Sequence, residues 1–387
     1  MSQLMTLDSL DLKGKRVVIR EDFNVPMKNG DISNDARICA ALPTIQYALS
    51  QGAAVILISH LGRPQEGVCD EAYSLAPIAA RLSQYLKIPV SLIKDWHHGF
   101  SIHPGQVALC ENIRFSLGEA DNDATLSAQL AALGDIYVMD AFACAHRSQA
   151  STYGALEKAK IACAGPLLCA EIKALDKALL HMERPFLAIV GGAKVSTKLT
   201  VLEALLAKVD HLIVGGGIAN TFLAAQGHAV GSSLYEPDLI PMAKKLLSSK
   251  ILLPLDVVVA AEVSDTAKPQ IKALSDIEPQ DKILDIGPKT IALYQSFIEK
   301  ARTIVWNGPV GVFEYPAFAA GTHALAHSIA NSQAFSLAGG GETLSAIENY
   351  HLSDKISYIS TGGGAFLEYL EGKSLPGIEV LKNKVRN

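Results

Sequence analysis

The chain has 387 residues, 49% of them hydrophobic and 19% charged, with a formal net charge of −5. That length suits two or three domains of ordinary size, with two as the working count, and the composition is that of a compact globular chain. The acidic balance gives no reason to expect nucleic acid or an acidic membrane as partner, and no apolar run approaches the roughly 18–20 residues of a membrane span.

Arg16–Arg20 (RVVIR) reads as a short strand opening into EDFNVP, with Asp22 and Asn24 at its exit. Ala36–Ser50 has helix-like apolar spacing despite Pro43 and carries Arg37 at its start. A second strand over 53–59 exits into His60, Gly62, Arg63 and Pro64, and 75–86 reads as an amphipathic helix. Val107–Cys110 leads into ENIRF with Arg114, and Ile136–Met139 into DAFACAHRSQAST with His146 and Arg147. Strands alternating with helices predict a parallel α/β sheet, whose carboxyl ends share one edge. Arg20, Arg63, Arg114 and Arg147, joined by Arg37, are therefore expected to form one cationic patch suited to carboxylate or phosphate. Any single one of them is better explained as an ordinary loop arginine paired with Asp22 or Glu111; it is the repeated placement that points to an anion site.

The texture changes at 161–181, where an apolar segment with Pro166 enters a helix, and the domain connection is placed on or just before it. Phe186–Val190 then runs into Gly191 and Gly192 and an expected helix start, with Lys194 and Lys198 four apart on one face. Two cations at a helix N-terminus oppose its dipole unless an anion joins them; the other reading is that both are solvated. Further strands at His211–Val214, 257–260, Lys282–Ile286, 303–306, 335–338 and 358–361 follow. Several end in glycine clusters: Gly215 to Gly217, Gly339 to Gly341, Gly362 to Gly364. Arginine marks the exits of the first half and glycine those of the second, and glycine turns cradle phosphate with backbone N–H groups. Neither a Walker-type stretch nor a good dinucleotide fingerprint is present. Six cysteines without zinc or redox spacing read as reduced core thiols. His323 and His327 share a helix face without a third ligand and read as a surface pair. The first residues lack an apolar h-region, so a soluble cytoplasmic protein is expected.

The segments REDFNVP, SHLGRP, ENIRF, DAFACAHR, GGAKVSTKL, VGGGIANTF, LDIGPKT, WNGPVGVFE, GGGETLSAI, STGGGAFLE and LPGIEVL occur in an order and spacing in which the chain closely resembles phosphoglycerate kinase over nearly its whole length. The resemblance implies two doubly wound, Rossmann-like parallel α/β domains facing across a cleft. Residues 1–165 would form the phosphoglycerate-binding domain, with 373–387 packing back on it, and 166–372 the nucleotide-binding domain. It implies reversible phosphoryl transfer between 1,3-bisphosphoglycerate with ADP and 3-phosphoglycerate with ATP, by hinge closure, in a monomer using Mg2+ with the nucleotide. Carried over by position, Asp22, Asn24, Arg37, His60, Arg63, Arg114 and Arg147 would bind 3-phosphoglycerate. Gly192, Ala193, Lys198, Gly217, Asn307, Glu314, Gly340, Gly341, Glu342 and Thr343 would bind nucleotide, and Arg37 and Lys194 would flank the phosphoryl group in flight.

Four positions depart from the family's common pattern. Glu21 replaces a small apolar residue and is expected to face solvent. Gln149 replaces a histidine of the basic patch. Glu342 replaces the aspartate associated with the nucleotide's magnesium. Phe366 stands where a small residue is usual and is expected to pack at the hinge.

Overall fold

The computed structural model describes residues 4–386, so the ends of the expected segments 1–165 and 373–387 lie partly outside the described residues. The chain divides into two compact units, one running to Lys173 and resuming at Ser374, the other spanning Ala174–Lys373. The Pro166–Leu179 helix therefore belongs to the first by its opening turns and to the second by its last.

In chain order the strands of the first unit are β1 (Arg16–Arg20), β2 (Met27–Lys28), β3 (Asp31–Ile32), β4 (Ala54–Ile58), β5 (Val90–Ile93), β6 (Val107–Cys110), β7 (Ile136–Met139) and β8 (Ala162–Ala164). Six of these form one parallel sheet in the order β5-β6-β4-β1-β7-β8, while β2 and β3 make a small hairpin. Val18 sits opposite Ile56 on one side and Tyr137 on the other. Apart from the arginines at the two ends of β1, the central strands are apolar and buried along nearly their whole length, as a parallel sheet covered on both faces demands.

The second unit continues with β9 (Phe186–Val190), β10 (His211–Val214), β11 (Ile251–Leu252), β12 (Asp256–Ala260), β13 (Gln270–Ala273), β14 (Lys282–Ile286), β15 (Thr303–Asn307), β16 (Phe335–Gly339) and β17 (Tyr358–Ser360). A second parallel sheet has the order β11-β10-β9-β15-β16-β17. The strands expected at 257–260 and 282–286 exist, but with β13 they form a separate antiparallel sheet. Both units are thus doubly wound α/β layers. In each, the first strand is central and its successors go to opposite sides, β4 and β7 beside β1, β10 and β15 beside β9. The chain reverses its winding there, leaving a crevice at the carboxyl ends where ligands bind in such sheets.

Among the described residues no helix is long and apolar enough to cross a membrane. All six cysteines are free, but only Cys110, Cys144 and Cys163 are buried; Cys39 and Cys69 are exposed, so the expectation of core thiols holds for half the set.

Candidate active site

In the first unit the exits of β1, β4 and β7 converge on His60, which is 2% exposed. Arg37, at the start of the Ala36–Ser50 helix, donates from Nη1 to Asp22 Oδ2 at 2.6 Å and to the carbonyl of Asn24 at 3.2 Å. Asn24 Oδ1 accepts the backbone N–H of Gly62 at 2.8 Å, tying the β1 exit to the loop that carries His60 and Arg63. Arg114 Nη1 donates to the Gly62 carbonyl. Asn112 donates to the carbonyls of Leu61 and Tyr73, fixing the same loop. Burial first, then the nearby Arg20, Arg114, Arg147 and Arg37, hold His60 well below the usual imidazole range. Burial also lowers Arg114, with Arg147 and Arg20 adding repulsion. Cations crowd this edge beyond what Asp22 offsets, which is the electrostatics of an anion site. Arg63 stands exposed in the same loop.

Three details differ from the sequence reading. Glu111 pairs with none of these arginines: its carboxylate accepts from Ser74 Oγ and from the N–H of Leu75, both at 2.8 Å. Arg20 is not an open member of the patch. It is 1% exposed, because the last side chain of the central strand lies beneath the neighbouring exits. Glu21 does not face solvent: it is fully buried, with both carboxylate oxygens lacking a donor. Gln149 caps the turn over 150–154 together with Thr152, so the residue replacing the patch histidine does local structural work beside Arg147.

Asp22, His60 and Cys144 also bring ligand-type atoms within 4.8 Å of one another. The Arg20 guanidinium, 3.3 Å from His60 Nδ1 and 3.9 Å from Cys144 Sγ, makes that corner repel a cation.

In the second unit a cavity of ≈ 630 Å³ opens at the carboxyl edge of the parallel sheet, with Gly192, Ala193, Gly217, Glu314 and Glu342 in its walls. The backbone turns after β9 and β10 touch each other: a side chain at Gly217 would put its Cβ 2.1 Å from the Ala193 carbonyl, so only glycine closes this wall. Gly340 has φ +100°, and a Cβ there would meet Asn307 Nδ2 at 2.6 Å. Asn307 Nδ2 donates to the Gly339 carbonyl at 2.7 Å, while its Oδ1 is buried without a partner. Gly341 and Glu342 open the Gly341–Asn349 helix and are exposed, whereas Thr343 is buried with Oγ1 accepting the Gly308 N–H at 2.7 Å. What Thr343 offers a ligand is thus its backbone N–H in the first helical turn.

Lys194 and Lys198 do not share a helix face. The segment is a loop, and the helix begins only at Leu199, with Lys198 at its cap position. Glu236 competes for the backbone, accepting from the N–H of Ser196 at 2.8 Å and from its hydroxyl at 2.6 Å. Lys194 is exposed. Lys198 turns inward, its Nζ donating to the carbonyls of Gly191 at 2.5 Å and Asn307 at 3.2 Å. Burial pushes it down to about 8, with Glu342 opposing.

Leu234 and Tyr235 also line the cavity and carried no sequence signal, while Asp285 and Val312 reach it from within LDIGPKT and WNGPVGVFE, segments to which no site role was given at those positions. Burial pushes Asp285 up to about 7 while it accepts the N–H groups of Gly321 and Ile286. Phe366 is buried, and a Cβ on Gly339 would strike its ring at 2.6 Å. The rings of His323 and His327 lie tilted at 44° with centroids 4.3 Å apart beside Tyr350, and among the described residues no third ligand group joins them.

A family model described as phosphoglycerate kinase matches residues 7–373. The chain is 54% identical over 387 residues to a phosphoglycerate kinase of Nitratidesulfovibrio vulgaris and 57% identical over 384 residues to one of Desulfovibrio desulfuricans, covering 98% of both partners in each comparison. Its fold is similar to a solved phosphoglycerate kinase from Coxiella burnetii, with a TM-score of 0.95 and 52% identity over 99% of this chain and 100% of that one.

Proposed function

The chain belongs to the phosphoglycerate kinase family, and from that premise we propose how its two sites divide the reaction. The activity is that of a glycolytic phosphotransferase, moving the acyl phosphate of 1,3-bisphosphoglycerate to ADP and, in reverse, the terminal phosphate of ATP to the carboxylate of 3-phosphoglycerate. The first domain, residues 1–165 with 373–387, takes the phosphoglycerate; the second, 166–372, takes the nucleotide. The observation that carries this division is the cationic cluster about His60, built entirely from first-unit residues.

Asp22 and Asn24 address the substrate hydroxyl and neighbouring oxygens, and Arg37, His60, Arg63, Arg114 and Arg147 hold its phosphate and carboxylate. Support comes from the fixed placement of Arg37 on Asp22 and of Asn24 on the His60 loop. For the nucleotide, Gly192, Ala193 and Gly217 let the ligand approach the backbone. Glu314 takes the ribose hydroxyls. The helix start at Gly340, Gly341 and Thr343 receives phosphate, with Asn307 and Lys198 beside it. Glu342 supplies a hard carboxylate at the cavity wall, a donor type that suits Mg2+ carried with the nucleotide. When bound there, the ion neutralises phosphate charge.

Phosphoryl transfer asks for in-line positioning and charge neutralisation rather than a covalent nucleophile. Arg37 and Lys194 are the cations assigned to the group in flight, and hinge closure brings the two ligands together and excludes water. The enzyme acts as a cytoplasmic monomer.

The test is phosphate transfer from MgATP to 3-phosphoglycerate, followed by coupled NADH oxidation, with Arg37→Ala and Lys194→Ala beside the intact chain. Both variants should keep their circular dichroism and lose on the order of 10²-fold or more in kcat. Near-normal turnover in either removes that residue from the mechanism; no turnover in the intact, folded chain overturns the activity.

A further inference from the structure

Arg20 is a buried cation with no place in the roles above. Its Nε donates to Ser151 Oγ at 2.9 Å, its Nη1 to the Glu21 carbonyl, and its Nη2 lies 3.3 Å from His60 Nδ1. Behind it, Ser151 donates from its hydroxyl to Glu119 Oε1 at 2.6 Å and from its backbone N–H to Oε2 at 3.0 Å. Glu119 is 1% exposed, so the chain Glu119–Ser151–Arg20–His60 is closed to water along its length. Burial would depress the guanidinium, yet Cys144, Glu119, Tyr137 and Asp22 outweigh it and leave it firmly charged.

A guanidinium has donors and no acceptor. Where it meets His60 Nδ1, that nitrogen must present its lone pair, and the ring proton must sit on Nε2. A second proton would place a cation against Arg20 and near Arg37, Arg114 and Arg147, offset by Asp22, 3.9 Å from Nδ1, while the Cys144 thiol, 4.0 Å from the same nitrogen, is kept neutral by burial. We propose that Arg20, anchored through Ser151 on Glu119, is a positioning residue that locks His60 as the neutral tautomer protonated on Nε2, the form that donates a hydrogen bond to an oxygen of the phosphoglycerate. The consequence concerns the reacting group. An imidazolium would pair with the substrate carboxylate as a second charge and change that pairing across neutral pH, whereas a locked neutral donor binds the oxygen alike on both sides of pH 7. The role deepens the reading that His60 serves the substrate and rests on it.

The test uses the full chain with 15N-labelled histidine, as wild type, Arg20→Met and Arg20→Lys. In the wild type the His60 ring should show a pyridine-type Nδ1 and a protonated Nε2 from pH 5.5 to 8, and its Nε2–H resonance should move on adding 3-phosphoglycerate. In Arg20→Met the ring should titrate within that range or populate both tautomers. Its KM for 3-phosphoglycerate should rise about tenfold, the loss expected for one hydrogen bond to a charged group, with kcat and the nucleotide KM within twofold. Arg20→Lys keeps a donor and charge and should restore most of the lock. A wild-type ring protonated on Nδ1, or one titrating near 6.5, overturns the proposal even if neither variant folds. Unchanged His60 resonances and KM in a folded Arg20→Met do the same. A locked ring whose Nε2–H ignores 3-phosphoglycerate upholds the tautomer and overturns the assignment of His60 to the substrate.

Discussion

The anion sites proposed for the two units are built by opposite means. In the first, charge comes from side chains, and those side chains need partners before any ligand arrives: Arg37 rests on Asp22, Arg114 on a carbonyl, Arg20 on Ser151. In the second, the turns after β9, β10 and β16 are backbone, closed by glycines where a Cβ would collide, and Lys198 is the cation turned inward among them. Charged side chains aim at a small ligand with several anionic groups, at the expense of buried countercharges such as Glu119. Backbone N–H groups accept a polyphosphate without importing charge, but they tolerate almost no added atom.

The sharpest break of that comparison is Gly340→Ala. The φ of +100° is strained for alanine, and its methyl would enter the space of Asn307 Nδ2. Strain of about 1–3 kcal/mol, concentrated at the proposed phosphate cradle, should raise the nucleotide KM roughly tenfold or more. The KM for 3-phosphoglycerate should stay within twofold. Steady-state kinetics with each substrate varied in turn decides it, and parallel losses would mean that the two sites are not independent.

A smaller effect probes the side-chain site from beneath. Glu21 faces Asp140, whose Oδ2 accepts from Thr44 Oγ1 at 2.5 Å and whose Oδ1 accepts the N–H of Leu168 at 2.9 Å. Two carboxylates are both acceptors, so Glu21 is satisfied only by keeping a proton and donating it to Asp140. Burial first, then the charge of Asp140, push Glu21 well above the usual range, and burial pushes Asp140 up to about 6. Unfolded carboxyl groups ionise near pH 4. The folded chain therefore holds more protons between that value and the raised one, and this contribution to stability, full at low pH, is lost as pH rises through and beyond about 6. Glu21→Val should flatten the slope and be more stable at pH 8 by roughly 1–3 kcal/mol. Urea midpoints at pH 5 and 8 measure this; the same slope in both proteins would assign it to other groups.

Much of this arrangement was legible because parallel α/β layers deliver strand exits to one edge, which groups Arg37, Arg63, Arg114, Arg147 and the glycine turns from sequence alone, whereas His60 joined them only through the family resemblance. What was not legible depends on partners distant in sequence. Arg20 ends a central strand and Glu21 follows it, and whether such a side chain faces ligand, core or solvent is decided by β4 and β7, not by its own neighbours. The late helix start at Leu199 comes from Glu236, some 40 residues on. The antiparallel sheet escaped because 257–260 is as apolar as a parallel strand and composition alone does not give strand direction. Leu234 and Tyr235 reach the cavity from a loop without motif.

The smallest predicted effect concerns Lys198, the exception to the backbone strategy. Its ammonium donates to two carbonyls, and burial pushes it down to about 8 against the pull of Glu342. Below that pH it is a cation held beside the phosphate cradle; above it, a neutral amine. The nucleotide KM should therefore rise several-fold between pH 7 and 9, the size expected for weakening one charge-assisted hydrogen bond, while the KM for 3-phosphoglycerate does not follow. Lys198→Arg keeps its charge throughout and should lose the pH dependence even if its longer fork fits less well. Glu342→Gln removes the opposing carboxylate, so the rise should begin at lower pH. Movement of the profile in that direction would tie Glu342 to Lys198 electrostatically, apart from any part it has in holding magnesium, whereas a flat wild-type profile would leave the nucleotide's charge to backbone and metal alone.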